Sequence, residues 1–243
     1  MKSFLRKRIS PGVFSFSGLI SGLLVLLIFT SKSADEMPSP QTLLCLGDSY
    51  TIGETVSPAE NFPNQTVQLV RSAGYEFETP EILAKTGWTT DELQNAINNY
   101  SFKNAYDFVT LLIGVNNQYR ERTVEDYKPQ FESLVKRAIQ FANGKPGHVI
   151  VLSIPDWGIT PFAKKSPGKH RDQKQISKEI DEFNEAGHAI ASLYKVNYID
   201  ITPGTREAVN DLTLVASDGL HPAGKEYAKW AEKLSLIIQQ QLQ

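Results

Sequence analysis

Short apolar runs alternate with longer amphipathic segments along most of this sequence. The clearest runs are 42–47, 107–114 and 147–155, and each has the length of a strand. Continuous apolar runs of this length are typical of strands that are covered on both faces, as in parallel sheets. A parallel strand is reached by a crossover, so the segments between the runs should be helices that pack on the sheet. The sequence therefore predicts an α/β domain.

The other elements have weaker patterns. Two further strands are expected at 75–87 and 196–201, and the stretches 156–171 and 202–221 look irregular. Apolar residues at helical spacing and capping residues indicate the helices. The predicted helices lie at 59–74, at 89–100, from Thr123 onward, around 176–193 and around 227–238.

The N-terminal segment has the pattern of a targeting sequence. Residues 1–34 contain five basic residues and no acidic residue, and an apolar stretch runs from 13 to 30. A cleaved secretory signal and an uncleaved membrane anchor both fit, and both place the following domain outside the cytoplasm. We then expect a linker at 35–41 and an exported domain at 42–243. The domain would be periplasmic, membrane-anchored or secreted.

Charge and cysteine content exclude several kinds of partner. Beyond residue 34 the chain has 20 basic and 27 acidic residues, a formal charge of −7. Nucleic-acid binding needs a basic face, so no nucleic-acid partner is expected. The single cysteine, Cys45, lies in an apolar run and should be a buried core residue, so it predicts neither a disulfide nor a cysteine zinc site. No metal and no cofactor are expected, and membrane contact is expected only through the N-terminal segment.

Polar groups follow several of the predicted strands. Gly47-Asp48-Ser49 follows the first strand, Gly87 the second and Gly114-Val115-Asn116-Asn117 the third, and Asp218-Gly219-Leu220-His221 precedes the last helix. Ligands of such sheets bind beyond the carboxyl ends of the strands. We therefore expect these four groups to meet at one edge of the sheet.

The residue types in these groups suit acyl transfer. Ser49 is a weak nucleophile until a base takes its proton, and His221 can be that base. Asp218 lies three residues before His221 and can orient the ring. The N–H groups of Ser49 and Gly87 and the side-chain amide of Asn116 can form an oxyanion hole.

Taken together, these motifs resemble the four conserved blocks of the SGNH/GDSL hydrolases, in particular the bacterial lysophospholipase-like and esterase-like members. The blocks read "GDSYT" (47–51), Gly87 within "TGWTT", "IGVNN" (113–117) and "DGLHP" (218–222), and the resemblance covers about residues 42–240. It implies a flavodoxin-like three-layer α/β/α sandwich of about five parallel strands. The lack of a G-x-S-x-G elbow disfavours the α/β-hydrolase scaffold.

The resemblance also implies roles for individual residues. The family's nucleophile corresponds to Ser49, its oxyanion donors to Gly87 and Asn116, and its acid–base pair to Asp218 and His221. Two positions depart from the family's usual pattern. Asn117 stands where an aspartate is usual, so a local hydrogen bond should differ, and Tyr50 replaces a leucine.

The irregular stretch after the fourth strand forms a candidate substrate wall. Trp157, Ile159 and Phe162 make it apolar, and it follows a strand at the expected site edge. We hypothesise that Trp157 and Phe162 line a pocket for the acyl or leaving group. A surface loop anchored by Trp157 explains the same residues.

The sequence thus predicts a serine hydrolase that cleaves carboxylic esters through an acyl-enzyme on Ser49. The substrate would be a small-molecule, glycan or lipid ester. Two alternatives stay open: a carbohydrate O-acetyl esterase acting on an envelope or dietary glycan, and a non-catalytic envelope binding protein on the same fold.

Overall fold

The computed structural model describes residues 39–103, 105–165 and 172–243. In this part of the chain the five strands are all parallel and form one sheet. The strands are β1 (Leu43–Gly47), β2 (Glu81–Ala84), β3 (Phe108–Leu112), β4 (Val149–Leu152) and β5 (Asn197–Ile199). Their order across the sheet is β2-β1-β3-β4-β5.

Helices connect and cover these strands, so the α/β fold predicted from the sequence is confirmed. They are α1 (Ser49–Ile52), α2 (Phe62–Ser72), α3 (Thr90–Asn99), α4 (Val115–Tyr119), α5 (Val124–Phe141), α6 (Pro161–Lys165), α7 (Gln173–Leu193), α8 (Thr202–Arg206) and α9 (Gly224–Gln241). Helix α2 packs against α9, whereas α5 packs against α3 and α7.

Burial explains why some strands were easier to predict than others. Every residue of β1, β3 and β4 is buried, whereas β2 at one edge is half-buried throughout. A strand covered on both faces needs an apolar residue at each position, and an edge strand does not. Strand β2 is accordingly shorter than its predicted range of 75–87. Cys45 in β1 is buried as expected, and burial raises the pKa of its thiol to about 12.

The structure differs from the predicted elements in several places, among them helix α8, which lies in the stretch 202–221 that was expected to be irregular. Helices α1 and α4 were not predicted, and the stretch 156–171 contains a 3₁₀ turn at Trp157–Ile159 and helix α6. Helices this short do not repeat an apolar position often enough to show a period. Gln41, predicted as linker, already pairs with Phe77 beside the sheet.

None of the helices within the described ranges is long and apolar enough to cross a membrane. The predicted signal or anchor at 1–34 lies outside the described residues, as does most of the predicted linker.

Candidate active site

The first strand ends in a tight turn that requires glycine. A Cβ atom on Gly47 would lie 2.5 Å from the carbonyl oxygen of Leu112 in β3 and closer still to Thr51 Oγ1. A real Cβ does not approach a backbone oxygen that closely, so a larger residue would push the turn away from β3. Asp48 is then the N-cap of α1, and Ser49 is the first residue of that helix.

Asp48 caps this short helix from a fully buried position. Its Oδ1 accepts a hydrogen bond of 3.0 Å from the backbone N–H of Tyr50. Within the described residues, no hydrogen-bond partner contacts Asp48 Oδ2. Burial disfavours the charged form and raises the pKa of Asp48 to about 7, despite the hydrogen bond from Tyr50. Asp48 therefore supports the turn that presents Ser49.

Ser49, His221 and Asp218 form a continuous chain of hydrogen bonds. Ser49 Oγ lies 2.9 Å from His221 Nε2, and His221 Nδ1 lies 2.6 Å from Asp218 Oδ2. Ser49 and His221 are 172 positions apart in the chain. This is the arrangement of a nucleophile, a base and a group that orients the base. The structure thus brings together all three residues that the sequence predicted.

The carboxylate of Asp218 is held on both oxygens. Oδ1 accepts hydrogen bonds from the backbone N–H groups of Leu220 at 2.9 Å and His221 at 3.0 Å. Partial burial opposes ionisation, but these bonds and the bond from the His221 ring outweigh it, so the pKa of Asp218 is lowered. An ionised Asp218 holds the proton on Nδ1, which leaves Nε2 able to accept the proton of Ser49.

The predicted oxyanion donors lie on neighbouring segments. Asn116 Nδ2 donates a 3.0 Å hydrogen bond to the carbonyl oxygen of Trp88, directly after Gly87. An amide nitrogen has two N–H groups, so one bond still leaves a donor for a ligand. Gly87 has a φ of +84°, which favours glycine, and Arg120 donates to its carbonyl oxygen at 2.6 Å.

A cavity of about 180 Å³ opens directly beside Ser49. Asn116 and His221 line it on the polar side, and Trp157 and Phe162 are part of its wall, as hypothesised from the sequence. Its remaining lining residues are Tyr50, Val115, Tyr119 and Leu220. The cavity can therefore hold an apolar group next to the serine hydroxyl.

Several contributors to this site were not found from the sequence. The Tyr50 ring, to which no role was given, lies 5.0 Å from the His221 ring between centroids. Val115 and Tyr119 flank the Asn116 motif, so adjacency to that motif is the signal that could have indicated them. Arg120 was also missed, although it bridges Gly87 and Glu92.

The wall that contains Trp157 begins at an ion pair between the buried Asp156 and the half-buried Arg206. Asp156 Oδ1 accepts from the N–H of Gly158 at 2.9 Å, and its Oδ2 lies 2.8 Å from Arg206 Nε. Arg206 also contacts Asp181 of α7 at 2.7 Å. These contacts attach the start of the wall to α7 and α8.

A larger open groove of about 840 Å³ lies elsewhere, along α5 and α7. Its lining has no serine, cysteine or histidine, so it has no counterpart of the Ser49–His221 pair. Within the described ranges, no three or more His, Cys, Asp or Glu side chains are arranged to hold a metal ion. The cavity beside Ser49 is therefore the candidate active site.

Solved structures with the same fold come from several bacteria. They include a lipolytic G-D-S-L family protein from Veillonella parvula (21% identity, 79% of this chain and 95% of that chain, TM-score 0.58). An acetylxylan esterase from Geobacillus stearothermophilus is 16% identical over 82% of this chain and 94% of its own, with a TM-score of 0.61. A psychrotrophic esterase from Pseudoalteromonas is also 16% identical, over 83% and 98%, with a TM-score of 0.59.

Among curated proteins, no significant match is found. The model of the GDSL-like lipase/acylhydrolase family, in contrast, matches residues 45–229, which include all four motifs. The chain therefore belongs to the GDSL-like lipase/acylhydrolase family of esterases and lipases.

Proposed function

We propose that this protein hydrolyses carboxylic esters through an acyl-enzyme on Ser49. The observation that carries the proposal is the chain of hydrogen bonds from Ser49 Oγ through His221 to Asp218, at 2.9 and 2.6 Å. These distances are within the range in which a base can take the proton of a nucleophile.

The proposed reaction has two halves. As Ser49 Oγ attacks the ester carbon, His221 Nε2 takes its proton, and the same proton then passes to the oxygen of the leaving alcohol. Water next gives a proton to His221 and attacks the acyl carbon, after which Ser49 recovers a proton and the carboxylic acid leaves. Asp218 stabilises the imidazolium in both halves without itself becoming protonated.

The negative oxygen of each tetrahedral intermediate needs donors that are already in position. Ser49 is the first residue of α1, so its N–H has no acceptor within the helix. We assign the remaining donors to the Gly87 N–H and the Asn116 amide. The Asn116 amide contacts the carbonyl oxygen of Trp88, the residue that follows Gly87.

A matched pair of serine variants tests the proposal. The purified full-length chain is assayed with p-nitrophenyl esters of two to twelve acyl carbons, beside Ser49→Ala and Ser235→Ala. Ser235 is also 4% exposed but lies on α9, away from the site. We expect Ser49→Ala to lower kcat by about 10⁴-fold or more and Ser235→Ala to retain it. A Ser49→Ala rate within tenfold of wild type would contradict the acyl-enzyme.

We also propose that the enzyme acts outside the cytoplasm, which rests on the basic and apolar pattern of residues 1–34. Fractionation of cells that express the full chain and a chain beginning at residue 35 tests this. Activity of both chains in the cytoplasm would contradict it.

A further inference from the structure

The cavity beside Ser49 is small for a ligand site. Its volume of about 180 Å³ is below the roughly 300–1,000 Å³ typical of pockets that hold drug-sized ligands. The cavity is also partly open to solvent. Beyond the polar groups of the site, its walls are apolar or aromatic. It therefore suits a short apolar group.

Trp157 forms a wall of this cavity and is tightly held. The side chain is buried, and its Nε1–H donates a 2.7 Å hydrogen bond to Gln118 Oε1. The rings of Tyr119 and Phe162 meet it edge-on, at 5.2 and 6.2 Å between centroids. Rotating the indole would break a buried hydrogen bond and both ring contacts, which makes this wall rigid.

Gln118 is in turn fixed from behind. It is almost fully buried, and its Nε2 donates a 2.7 Å hydrogen bond to Glu179 Oε2 on α7. Gln118 belongs to α4, the same short helix that carries Asn116. One helix thus holds both a proposed oxyanion donor and the support of the cavity wall.

At Phe162, the wall is attached to the segment that carries Asp218 and His221. The backbone N–H of Phe162 donates to the carbonyl oxygen of Gly219 at 2.8 Å, between Asp218 and His221. The wall is therefore fixed at Gln118 on one side and at Gly219 on the other. A chain long enough to reach this wall would have to displace packed groups or turn toward solvent.

We infer that Trp157, positioned by Gln118, limits the acyl group of the substrate to a short chain, so that butyrate is preferred over octanoate. This inference rests on the proposed ester hydrolysis and names its substrate class. Trp157 lines the acyl site, and Gln118 is a positioning residue that acts through it. In this inference the acyl group occupies the cavity, where it stays attached to Ser49 after the alcohol has left.

The test compares acyl-chain preference among variants. The kcat/KM ratio of p-nitrophenyl octanoate to p-nitrophenyl butyrate is measured for wild type, Trp157→Ala, Trp157→Leu and Gln118→Leu. We expect wild type to prefer butyrate by about tenfold or more. Trp157→Ala and Trp157→Leu should raise the ratio about tenfold, and Gln118→Leu should raise it by less.

A control variant separates the change in acyl-chain preference from the effect of disturbing the packing of any buried tryptophan. Trp230 is a second buried indole, and its Nε1–H donates to the side chain of Glu226 at 2.9 Å, but it does not line the cavity. Trp230→Phe should leave the octanoate-to-butyrate ratio unchanged. A purely structural role for Gln118 would lower both rates and leave the ratio as it was.

Distinct results would overturn the inference and the proposed function. A wild-type optimum at twelve carbons, or an unchanged ratio in both folded Trp157 variants, would overturn the chain-length limit while ester hydrolysis stands. A change in alcohol preference at constant acyl group would assign the cavity to the leaving group instead. Wild-type protein inactive on every ester would overturn the proposed function itself.

Discussion

The side-chain amide of Asn117 bridges to Thr90 at two points. Its Oδ1 accepts from the Thr90 N–H at 3.0 Å, and its Nδ2 donates to Thr90 Oγ1 at 2.7 Å. The bridge is buried and joins α4 to the start of α3. It therefore keeps Asn116 in place relative to Gly87, the other proposed oxyanion donor outside α1.

Asn117→Asp should make stability depend on pH. The Thr90 hydroxyl already donates to Gln130 Oε1, so a carboxylate at 117 would lose one partner in a fully buried place. Burial raises the pKa of such a carboxyl, so the folded state would bind the extra proton and lose stability as pH rises. We expect a loss of about 1–3 kcal/mol in unfolding free energy at pH 8, and less at pH 5.

Urea unfolding at both pH values measures this effect, and Asn98→Asp on the exposed side of α3 is the control. Equal stability of Asn117→Asp at pH 5 and pH 8 would show that Thr90 accommodates a carboxylate.

Asn116→Ala should slow the chemical step more than it weakens substrate binding. If its amide donates to the oxyanion, its loss should lower kcat by about 10²–10³-fold, with little change in KM. Steady-state kinetics with p-nitrophenyl butyrate measures this, and Asn95→Ala on exposed α3 surface should behave as wild type. A loss below tenfold would mean that the Ser49 and Gly87 N–H groups suffice.

Asp218→Asn should lower kcat by about 10⁴-fold, because an amide no longer holds the proton on His221 Nδ1. The pKa of Asp218 is lowered from its ordinary value, so the residue stays ionised at every pH above that value and loses its charge only as pH falls further. The loss of rate should therefore be the same at pH 6 and pH 8. A loss that shrinks markedly between these values would show that Asp218 titrates in the working range.

Asp48→Asn should remove part of the pH dependence of the unfolding free energy. The pKa of Asp48 is raised by burial to about 7, so between pH 4 and pH 7 the folded state binds more protons than the unfolded state. Between pH 5 and pH 8, the unfolding free energy of the wild type should therefore fall by about 3 kcal/mol relative to that of the variant. The asparagine oxygen can still accept from the Tyr50 N–H.

Chemical unfolding of both proteins across this pH range checks the prediction, with Asp126→Asn on the exposed surface of α5 as the control. Parallel pH profiles for wild type and Asp48→Asn would contradict it.

The sheet and the reactive residues could be predicted because each leaves a local pattern. Strands β1, β3 and β4 are buried on both faces, so each appears in the sequence as an apolar run. Strand β2 is half-buried, so its apolar pattern is weak and its bounds could not be predicted. Acyl transfer needs particular residue types, and Ser49, Asn116 and His221 stand in short motifs beside strands or helix starts. Their order along the chain was therefore enough to identify the family.

Tertiary structure alone decided how these motifs meet and what surrounds them. The 2.9 Å contact between Ser49 and His221 joins residues 172 positions apart. The hydrogen bond from Trp157 to Gln118 likewise depends on where two separate segments pack. Such contacts have no sequence period, because a side chain's partner across the fold is set by the packing of whole elements and not by spacing along one of them.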